Sequence, residues 1–295
     1  MRFSVFTAST PEWTPEQAAT TLAQQGWDGI EWRIVDQADN GQPGFWSGNR
    51  STIPFTGVLD RIDEVAALMR RTGLAYSGIG GYQPVGDRDA VLTMLRLTAA
   101  LGAERVRVVM PATGSDRPYP EVFRATREDL AWVADRAGEF GVQALVEVHQ
   151  DTITPSASAA LRLVDGLDPR HVGVIHDLGN LVVEGFEHLR SGLEMLGPYL
   201  AHVHVKNARW APTGTKRPDG SDDWASEWAP MTTGVAPVAE YLATLTDLGY
   251  DGWVTVEDFS TELPLAERTA GNLAYLRSVT EPHHQNDATR LHHPR

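Results

Sequence analysis

The chain repeats one short phrase, in which an amphipathic segment ends at a glycine and an apolar run rich in Val and Ile follows within a few residues. The glycines of this phrase are Gly26, Gly73, Gly102, Gly141 and Gly249. A glycine is typical of a helix C-terminus, where the backbone turns left-handed. Thr14-Pro15 and Thr154-Pro155 each predict a helix start, because a hydroxyl cap precedes a proline. The alternation predicts repeated β-α units around a parallel sheet.

Eight such apolar runs are present. They lie near residues 3–7, 29–34, 75–79, 106–110, 143–148, 172–175, 201–205 and 253–256. Eight units fit a closed barrel, whereas an open doubly wound sheet more often has five or six strands. A dinucleotide-binding sheet would also carry G-x-G-x-x-G after its first strand, and residues 7–11 contain no glycine. We therefore predict an α/β chain that forms one (β/α)8 TIM barrel as a single domain over residues 1–280, with a polar, disordered tail at 281–295.

The composition excludes several kinds of site. The 295 residues include no cysteine, so any metal must be held by His and carboxylates. The formal net charge of −14 disfavours binding to nucleic acid. No apolar run reaches the roughly 18 residues of a membrane span, and residues 1–10 do not resemble a secretory signal. We expect a soluble cytoplasmic protein that contacts neither nucleic acid nor membrane.

Metal-capable side chains stand at the ends of the last four predicted strands. In chain order they are Glu147 and His149, His176 and Asp177, His202 and His204, and Glu257 and Asp258. One such residue alone is usually a solvated strand end or a hydrogen-bonded core histidine. When four successive strands each carry such a residue, a shared site is the better interpretation, because the C-terminal ends of barrel strands converge on one rim. Burying several carboxylates together is unfavourable unless a cation compensates them.

Strand alternation selects among these neighbours, because side chains two apart share a face. His204 lies nearer the rim than His202, and His176 is out of phase with Asp177 and should turn toward the helices. The predicted metal ligands are therefore Glu147, Asp177, His204 and Glu257. This mainly oxygen set suits Mn²⁺, the expected ion, with Mg²⁺, Co²⁺ or Zn²⁺ as alternatives. His149 and Asn180 are assigned to the surroundings of the metal or to the substrate.

Two long connections, residues 35–57 and 206–233, each follow a predicted strand and therefore lie on the face where TIM barrels place active sites. Both are rich in aromatic residues: Phe45, Trp46, Trp210, Trp224 and Trp228. We interpret them as walls or lids over a pocket and assign Trp46 to substrate binding. The alternative is that they pack against each other or against a second subunit, so a homo-oligomer is also compatible with these loops.

The phrases "EVHQDTITPS", "VGVIHDLGN", "HVHVKN" and "GYDGWVTVEDF", in this order, resemble the xylose-isomerase-like TIM-barrel superfamily of sugar isomerases and epimerases. That superfamily is related to apurinic endonucleases of the endonuclease IV type. The resemblance extends from Phe3 to about Val279. In its ketose 3-epimerases the metal is held by Glu, Asp, His and Glu, which match the four ligands above. The resemblance further implies that Glu147 and Glu257 are the catalytic acid and base, on opposite faces of the sugar.

The chain departs from that family pattern around the substrate. The residue three after the metal-binding Asp is usually His and is here Asn180, and the H-x-H segment, often followed by Lys-Asp, is here followed by Lys206-Asn207. Arg209 is the nearest match to an arginine that binds substrate oxygens, although its spacing differs. The predicted substrate-binding set is therefore His149, Asn180, Lys206, Arg209 and Trp46.

These observations predict a divalent-metal-dependent isomerase or epimerase. It would act on a small, unphosphorylated sugar or polyol ketone, with proton transfer between two glutamates through an enediolate. One alternative is a dehydratase or lyase of the inosose or dehydroshikimate type on the same scaffold. Another is a non-catalytic sugar-binding barrel. An apurinic endonuclease is disfavoured, because its three-zinc cluster needs histidines from earlier strands and the first 148 residues contain none.

Overall fold

Eight parallel strands close into a barrel in the computed structural model, which describes residues 1–38, 41–114 and 116–281. The barrel strands are β1 (Arg2–Phe6), β2 (Gly29–Ile34), β3 (Ala75–Gly81), β4 (Arg105–Val108), β5 (Gln143–Glu147), β6 (Val172–Asp177), β7 (Leu200–Val205) and β10 (Trp253–Val256). Each strand pairs with the next along the chain, and β10 closes the ring on β1, with Arg2 opposite Trp253. The predicted single-domain (β/α)8 TIM barrel is confirmed.

Helices connect the strands and cover the outside of the barrel. They are α1 (Pro15–Gln25), α2 (Ile62–Thr72), α3 (Arg88–Leu101), α4 (Tyr119–Phe140), α5 (Ala157–Val164), α6 (Leu178–Val183), α7 (Leu189–Leu196), α8 (Val238–Asp247) and α9 (Leu265–Thr280). The five glycines of the repeated phrase all have positive φ, between 67° and 88°, as a helix end followed by a strand requires. The periodic signal in the sequence thus corresponds to real helix ends.

The two predicted helix starts have different outcomes. Thr14 caps α1 in a reciprocal box with Gln17, and Pro15 is the first helical residue. The start at Thr154-Pro155 is wrong, because α5 begins at Ala157 with Ser156 as its cap. The hydroxyl of Thr154 is occupied elsewhere: it donates to the carbonyl oxygen of Glu147 at 2.9 Å and ties the loop to the end of β5.

Strand parity places the histidines as the alternation predicts. His176 points outward, where its Nδ1 lies 2.7 Å from the hydroxyl of Tyr241 on α8 and the two rings stack. Burial lowers the pKa of His176 to about 4, so the imidazole is neutral at pH 7. Asp177, the next residue, therefore points into the barrel.

The connection at residues 206–233 is an antiparallel hairpin rather than an irregular loop. Its strands are β8 (Asn207–Lys216) and β9 (Asp222–Ala229), with Asn207 opposite Ala229. The sequence did not indicate this hairpin, because most of its residues are exposed and show no apolar alternation. Except for Glu281, the predicted tail at 281–295 lies outside the described residues. None of the helices among the described residues combines the length and the hydrophobicity of a membrane span.

Glycine in β3 allows an aromatic ring to pack against the candidate site. A Cβ built on Gly80 would lie 2.1 Å from Cε2 of Phe6, whereas a Cβ on Gly78, two residues earlier, would meet only Glu31 at 3.5 Å. The ring of Phe6 stacks on the imidazole of His204, with 5.9 Å between ring centroids. The absence of a side chain at position 80 therefore sets the position of Phe6.

Replacing Gly80 by Ala should lower the free energy of unfolding by about 1–3 kcal/mol, because the added methyl group overpacks the ring of Phe6. The matched substitution Gly78→Ala makes only ordinary contacts and should change the free energy of unfolding by less than about 1 kcal/mol. Urea denaturation of both variants measures the difference. Equal midpoints for the two variants would contradict this account of Phe6.

Candidate metal centre and substrate pocket

Four predicted strand-end residues meet at the C-terminal rim of the barrel. Glu147 ends β5, Asp177 ends β6, His204 lies in β7, and Glu257 follows β10 directly. One ligand atom from each lies within 4.8 Å of the others, and all four residues are at least nine-tenths buried. The Nδ1 atom of His204 is 3.3 Å from an oxygen of Glu257, 3.4 Å from one of Glu147 and 3.8 Å from one of Asp177. The structure therefore brings the predicted ligand set together.

The donor set fits a divalent ion. The Nδ1 atom of His204 is buried and makes no hydrogen bond to any described residue, although three carboxylates surround it. Donors bonded to one first-row ion at about 2.1 Å lie roughly 3.0–3.5 Å apart, close to the separations measured from this nitrogen. Such an ion would give the orphaned nitrogen a partner and would compensate the acids. The cluster could therefore bind a metal.

Two buried cations already neutralise part of this acidic cluster. Nη1 of Arg107 lies 2.5 Å from Oε2 of Glu147, and Nζ of Lys206 contacts both Asp177, at 2.5 Å, and Glu257. Burial alone would raise the pKa of both glutamates. The charge of Arg107 instead holds the pKa of Glu147 well below its usual value, and Lys206 lowers that of Glu257 to about 2. Both glutamates are therefore ionised at neutral pH.

Asp177 and His204 respond differently to the same surroundings. Burial raises the pKa of Asp177 to about 7, although Lys206 opposes the shift. Burial lowers the pKa of His204, but the negative charges of Glu257 and Glu31 outweigh it and raise the value well above normal. Protons and a metal ion therefore compete for the same atoms, as at other sites whose ligands must be deprotonated.

A cavity of about 500 Å³ opens onto this cluster. Aromatic rings form much of its wall, and Trp46 and Trp228, one from each long connection, both pack against Phe259 with ring centroids 4.7 and 5.6 Å apart. The polar lining includes Arg107, Glu147, His149, Gln150, Thr152, Asn180, Lys206 and Glu257. Both long connections thus contribute to the wall of one pocket.

Four of the five predicted substrate-binding residues line this cavity, and Arg209 does not. His149 donates from Nδ1 to the carbonyl oxygen of Gln150 at 2.6 Å, and Asn180 donates from its side chain to the carbonyl oxygen of Val148 at 3.0 Å. Arg209 lies on the hairpin, where its half-exposed side chain pairs with Glu227 on the facing strand at 3.2 Å. The side chain of Arg209 is therefore held on the hairpin and does not line the pocket.

Two buried charged residues of the site were not predicted. Glu31 lies in the strand sequence GIEWRI and contacts His202 and His204, and Arg107 lies in RVRV and contacts Glu147. The only sequence signal was a charged residue inside an apolar strand. That signal is weak, because the same pattern also marks a strand with one solvated face.

The sequence matches the family described as xylose isomerase-like TIM barrel over residues 20–279. The chain belongs to this family. The match includes all four predicted metal ligands and confirms the resemblance that the sequence motifs indicated.

Individual relatives carry out sugar and polyol chemistry according to their names. The inosose dehydratase of Bacillus velezensis is 29% identical over 125 residues, which cover 41% of this chain and 42% of that protein. The match thus covers less than half of that relative's length. The apo 3-keto-D-glucoside 4-epimerase YcjR from E. coli has a TM-score of 0.71 and 17% identity, covering 94% of this chain and 99% of that one. The IolI protein with a bound zinc atom has a TM-score of 0.72 and 16% identity, covering 95% and 98%. At these identities the structural likeness shows a shared fold.

Replacing Arg107 by Met should destabilise the metal-free protein by about 3–5 kcal/mol, because Glu147 is left buried without its counter-charge. The matched change Arg105→Met, on the same strand, breaks a partly exposed pair with Glu104 and should cost about 1 kcal/mol or less. Urea denaturation in EDTA measures both. Similar losses for the two variants would mean that Arg107 does not compensate Glu147.

Proposed function

We propose that this chain is a metal-dependent isomerase or epimerase that moves a proton at the carbon beside the carbonyl of a small sugar or polyol ketone. The observation that carries the proposal is the pair Glu147 and Glu257. Both are buried, both line the same cavity, and in the barrel they flank Asp177 and His204. Two carboxylates that line one pocket are what removal and return of a proton require.

The proposed metal ligands are Glu147, Asp177, His204 and Glu257, and the proposed ion is Mn²⁺, since three of the four ligands supply oxygen. The zinc atom in the IolI structure supports Zn²⁺ as an alternative. When bound, the ion would supply Lewis-acid stabilisation of the negative charge that develops on the oxygens of an enediolate.

The protein's own contacts fix the orientation and the charge of the two glutamates. Arg107 and Lys206 each hold one oxygen, Oε2, of a glutamate, so the carboxylates are oriented and ionised before substrate enters. The second oxygens of both carboxylates face His204. One glutamate would take the proton from the substrate carbon, and the other, after gaining a proton from solvent, would return one to the opposite face.

The pocket suits a hydroxyl-rich ring or short chain. Its volume lies in the range typical of small-molecule sites. Trp46, Trp228 and Phe259 offer a surface for the C–H face of a sugar, while Asn180 and Lys206 offer hydrogen bonds to hydroxyl groups.

A small-molecule substrate is thus part of the proposal. A cytoplasmic location, a homo-oligomer and the absence of nucleic-acid partners stay predictions from the sequence.

Dehydration is the second candidate, and the likeness to inosose dehydratase favours it. The first half of the reaction would be the same proton abstraction by Glu147 or Glu257. The enediolate would then expel a hydroxide from the next carbon instead of being reprotonated. An absorbing enone product distinguishes this outcome from epimerisation.

Metal-loaded protein incubated in D₂O with ketohexoses and inososes should place deuterium at the carbon beside the carbonyl, as followed by proton NMR. Glu147→Gln and Glu257→Gln should each reduce the rate about 10²–10⁴-fold, because each removes one partner of the proton transfer. Glu227→Gln, on the exposed hairpin, is the control and should retain the wild-type rate.

Other outcomes of this experiment separate the alternatives. Turnover without deuterium would indicate a hydride shift and contradict the two-glutamate mechanism. Enone absorbance would indicate the dehydratase. Binding of substrates without turnover would leave a sugar-binding barrel.

Purified protein dialysed against Mn²⁺ or Zn²⁺ should retain one metal ion per chain, measured by elemental analysis. Asp177→Asn should lose it, because the amide replaces a charged ligand and leaves only two carboxylates in the set. His176→Asn alters the adjacent residue, which faces the helices, and should keep the metal. No retained metal in the wild-type protein would overturn the proposed function.

A further inference from the structure

A second buried polar cluster lies beneath the metal centre, inside the barrel. Oε2 of Glu31, from β2, lies 3.1 Å from Nε2 of His204 and 3.0 Å from Nε2 of His202. The same nitrogen of His202 is 2.8 Å from the hydroxyl of Thr255, which in turn is 2.7 Å from that of Ser4. All five side chains are essentially inaccessible to solvent. A chain of hydrogen bonds thus leads from the metal centre to the wall formed by β1 and β10.

The chemistry of Glu31 determines where the protons of this chain lie. An ionised carboxylate has no hydrogen to donate, so each imidazole must donate to it from Nε2. For His204 this leaves Nδ1, the atom that faces Glu147, Asp177 and Glu257, as the nitrogen able to bind a metal. A histidine that binds a metal through one nitrogen is commonly oriented by a carboxylate at the other.

The need for such an orienting group is unusually strong at His204. Carboxylate oxygens stand within 3.8 Å of its Nδ1, and each attracts a proton to that nitrogen. A proton held on Nδ1 would occupy the direction from which a metal must be bound. When the imidazole is neutral, the contact with Glu31 holds its single hydrogen on Nε2, on the far side of the ring, and leaves Nδ1 free for a metal.

We propose that Glu31 is a positioning residue for the metal centre: it fixes the hydrogen on Nε2 of His204 and thereby presents Nδ1 to the metal. This inference rests on the proposed metal site and adds to it a residue from the opposite side of the barrel, 173 positions away in sequence. Glu31 itself does not contact the metal. Its removal should weaken metal binding while the four ligands stay in place.

The same cluster raises one competing interpretation, since Glu31, His202 and His204 could themselves hold an ion. An ion there would use Nε2 of His204, the nitrogen that the proposal assigns to a hydrogen bond. Oε2 of Glu31 lies at hydrogen-bond distance from both nitrogens, 3.0 and 3.1 Å, and this cluster has one carboxylate where the other has three. The nitrogen of His204 that binds the ion, together with the number of ions bound per chain, distinguishes the two.

Isothermal titration of metal-free protein with Mn²⁺ tests the proposal. Glu31→Gln keeps the size of the side chain but can offer a donor as well as an acceptor, and it should weaken Mn²⁺ binding about 10–100-fold with one ion still bound per chain. Thr255→Val removes the hydroxyl that contacts His202 and leaves the contact of Glu31 with His204, so its affinity should stay within about twofold of wild type.

A second measurement needs no variant. In wild-type protein loaded with ¹¹³Cd²⁺ and labelled with ¹⁵N, the cadmium should couple through one bond to Nδ1 of His204, with the hydrogen on Nε2. Coupling to Nε2 would overturn the proposal, even if Glu31→Gln failed to fold.

The remaining outcomes are also decisive. Unchanged Mn²⁺ affinity in folded Glu31→Gln protein would overturn the role of Glu31 but leave the proposed function intact. If the wild-type protein bound two ions and Glu31→Gln lost one of them, Glu31 would belong to a second metal site, and its proposed positioning role would be overturned. A wild-type protein that binds no ion would instead refute the proposed function itself.

Discussion

Acidic side chains can persist in the interior of this barrel only because positive charge lies beside them. Glu147, Asp177 and Glu257 converge on one imidazole in a region almost free of solvent. Removing each such charge from water costs several kcal/mol unless an opposite charge is close. Arg107 and Lys206 supply two of the three charges required. A divalent ion would more than compensate the acid that is left without a counter-charge, and it would favour the negative charge that forms when a ketone loses its neighbouring proton.

The alternation of side chains along each strand and the closure of the barrel together create this arrangement. In β6 and β7, alternate residues face inward, so Asp177 enters the site while His176 packs against α8. Closure then brings together residues that no local pattern connects. Glu31 crosses the interior to the histidines of β7, and Phe6 stacks on His204 because Gly80 has no side chain. The ligand set is thus held from nearly every side of the barrel.

Much of this could be predicted from the sequence, for a physical reason. Helix-ending glycines, strand lengths and strand ends are local features, and the symmetry of a (β/α)8 barrel converts four strand ends into one site. The features that were missed depend on long-range contacts. Arg107 and Glu31 gain their roles from partners on other strands, and Arg209 lost its expected role because its segment forms a hairpin. Thr154 resembles a helix cap, yet its hydroxyl binds the end of β5.

In the proposed function, residues on the barrel strands and residues on the two long connections have different roles, and this difference would let one scaffold serve both epimerases and dehydratases. In the proposed reaction, proton abstraction would depend on groups fixed by barrel strands, namely Glu147, Glu257 and the charges that hold them. The fate of the proposed enediolate would depend on how the substrate lies in the pocket. Trp46 and Trp228, which come from the two long connections and meet on Phe259, form part of the wall that would orient it. Loops vary more readily than strands, because fewer buried contacts depend on them. We therefore expect substrate choice and the second half of the proposed reaction to vary with these two connections, and the first step to depend on the barrel.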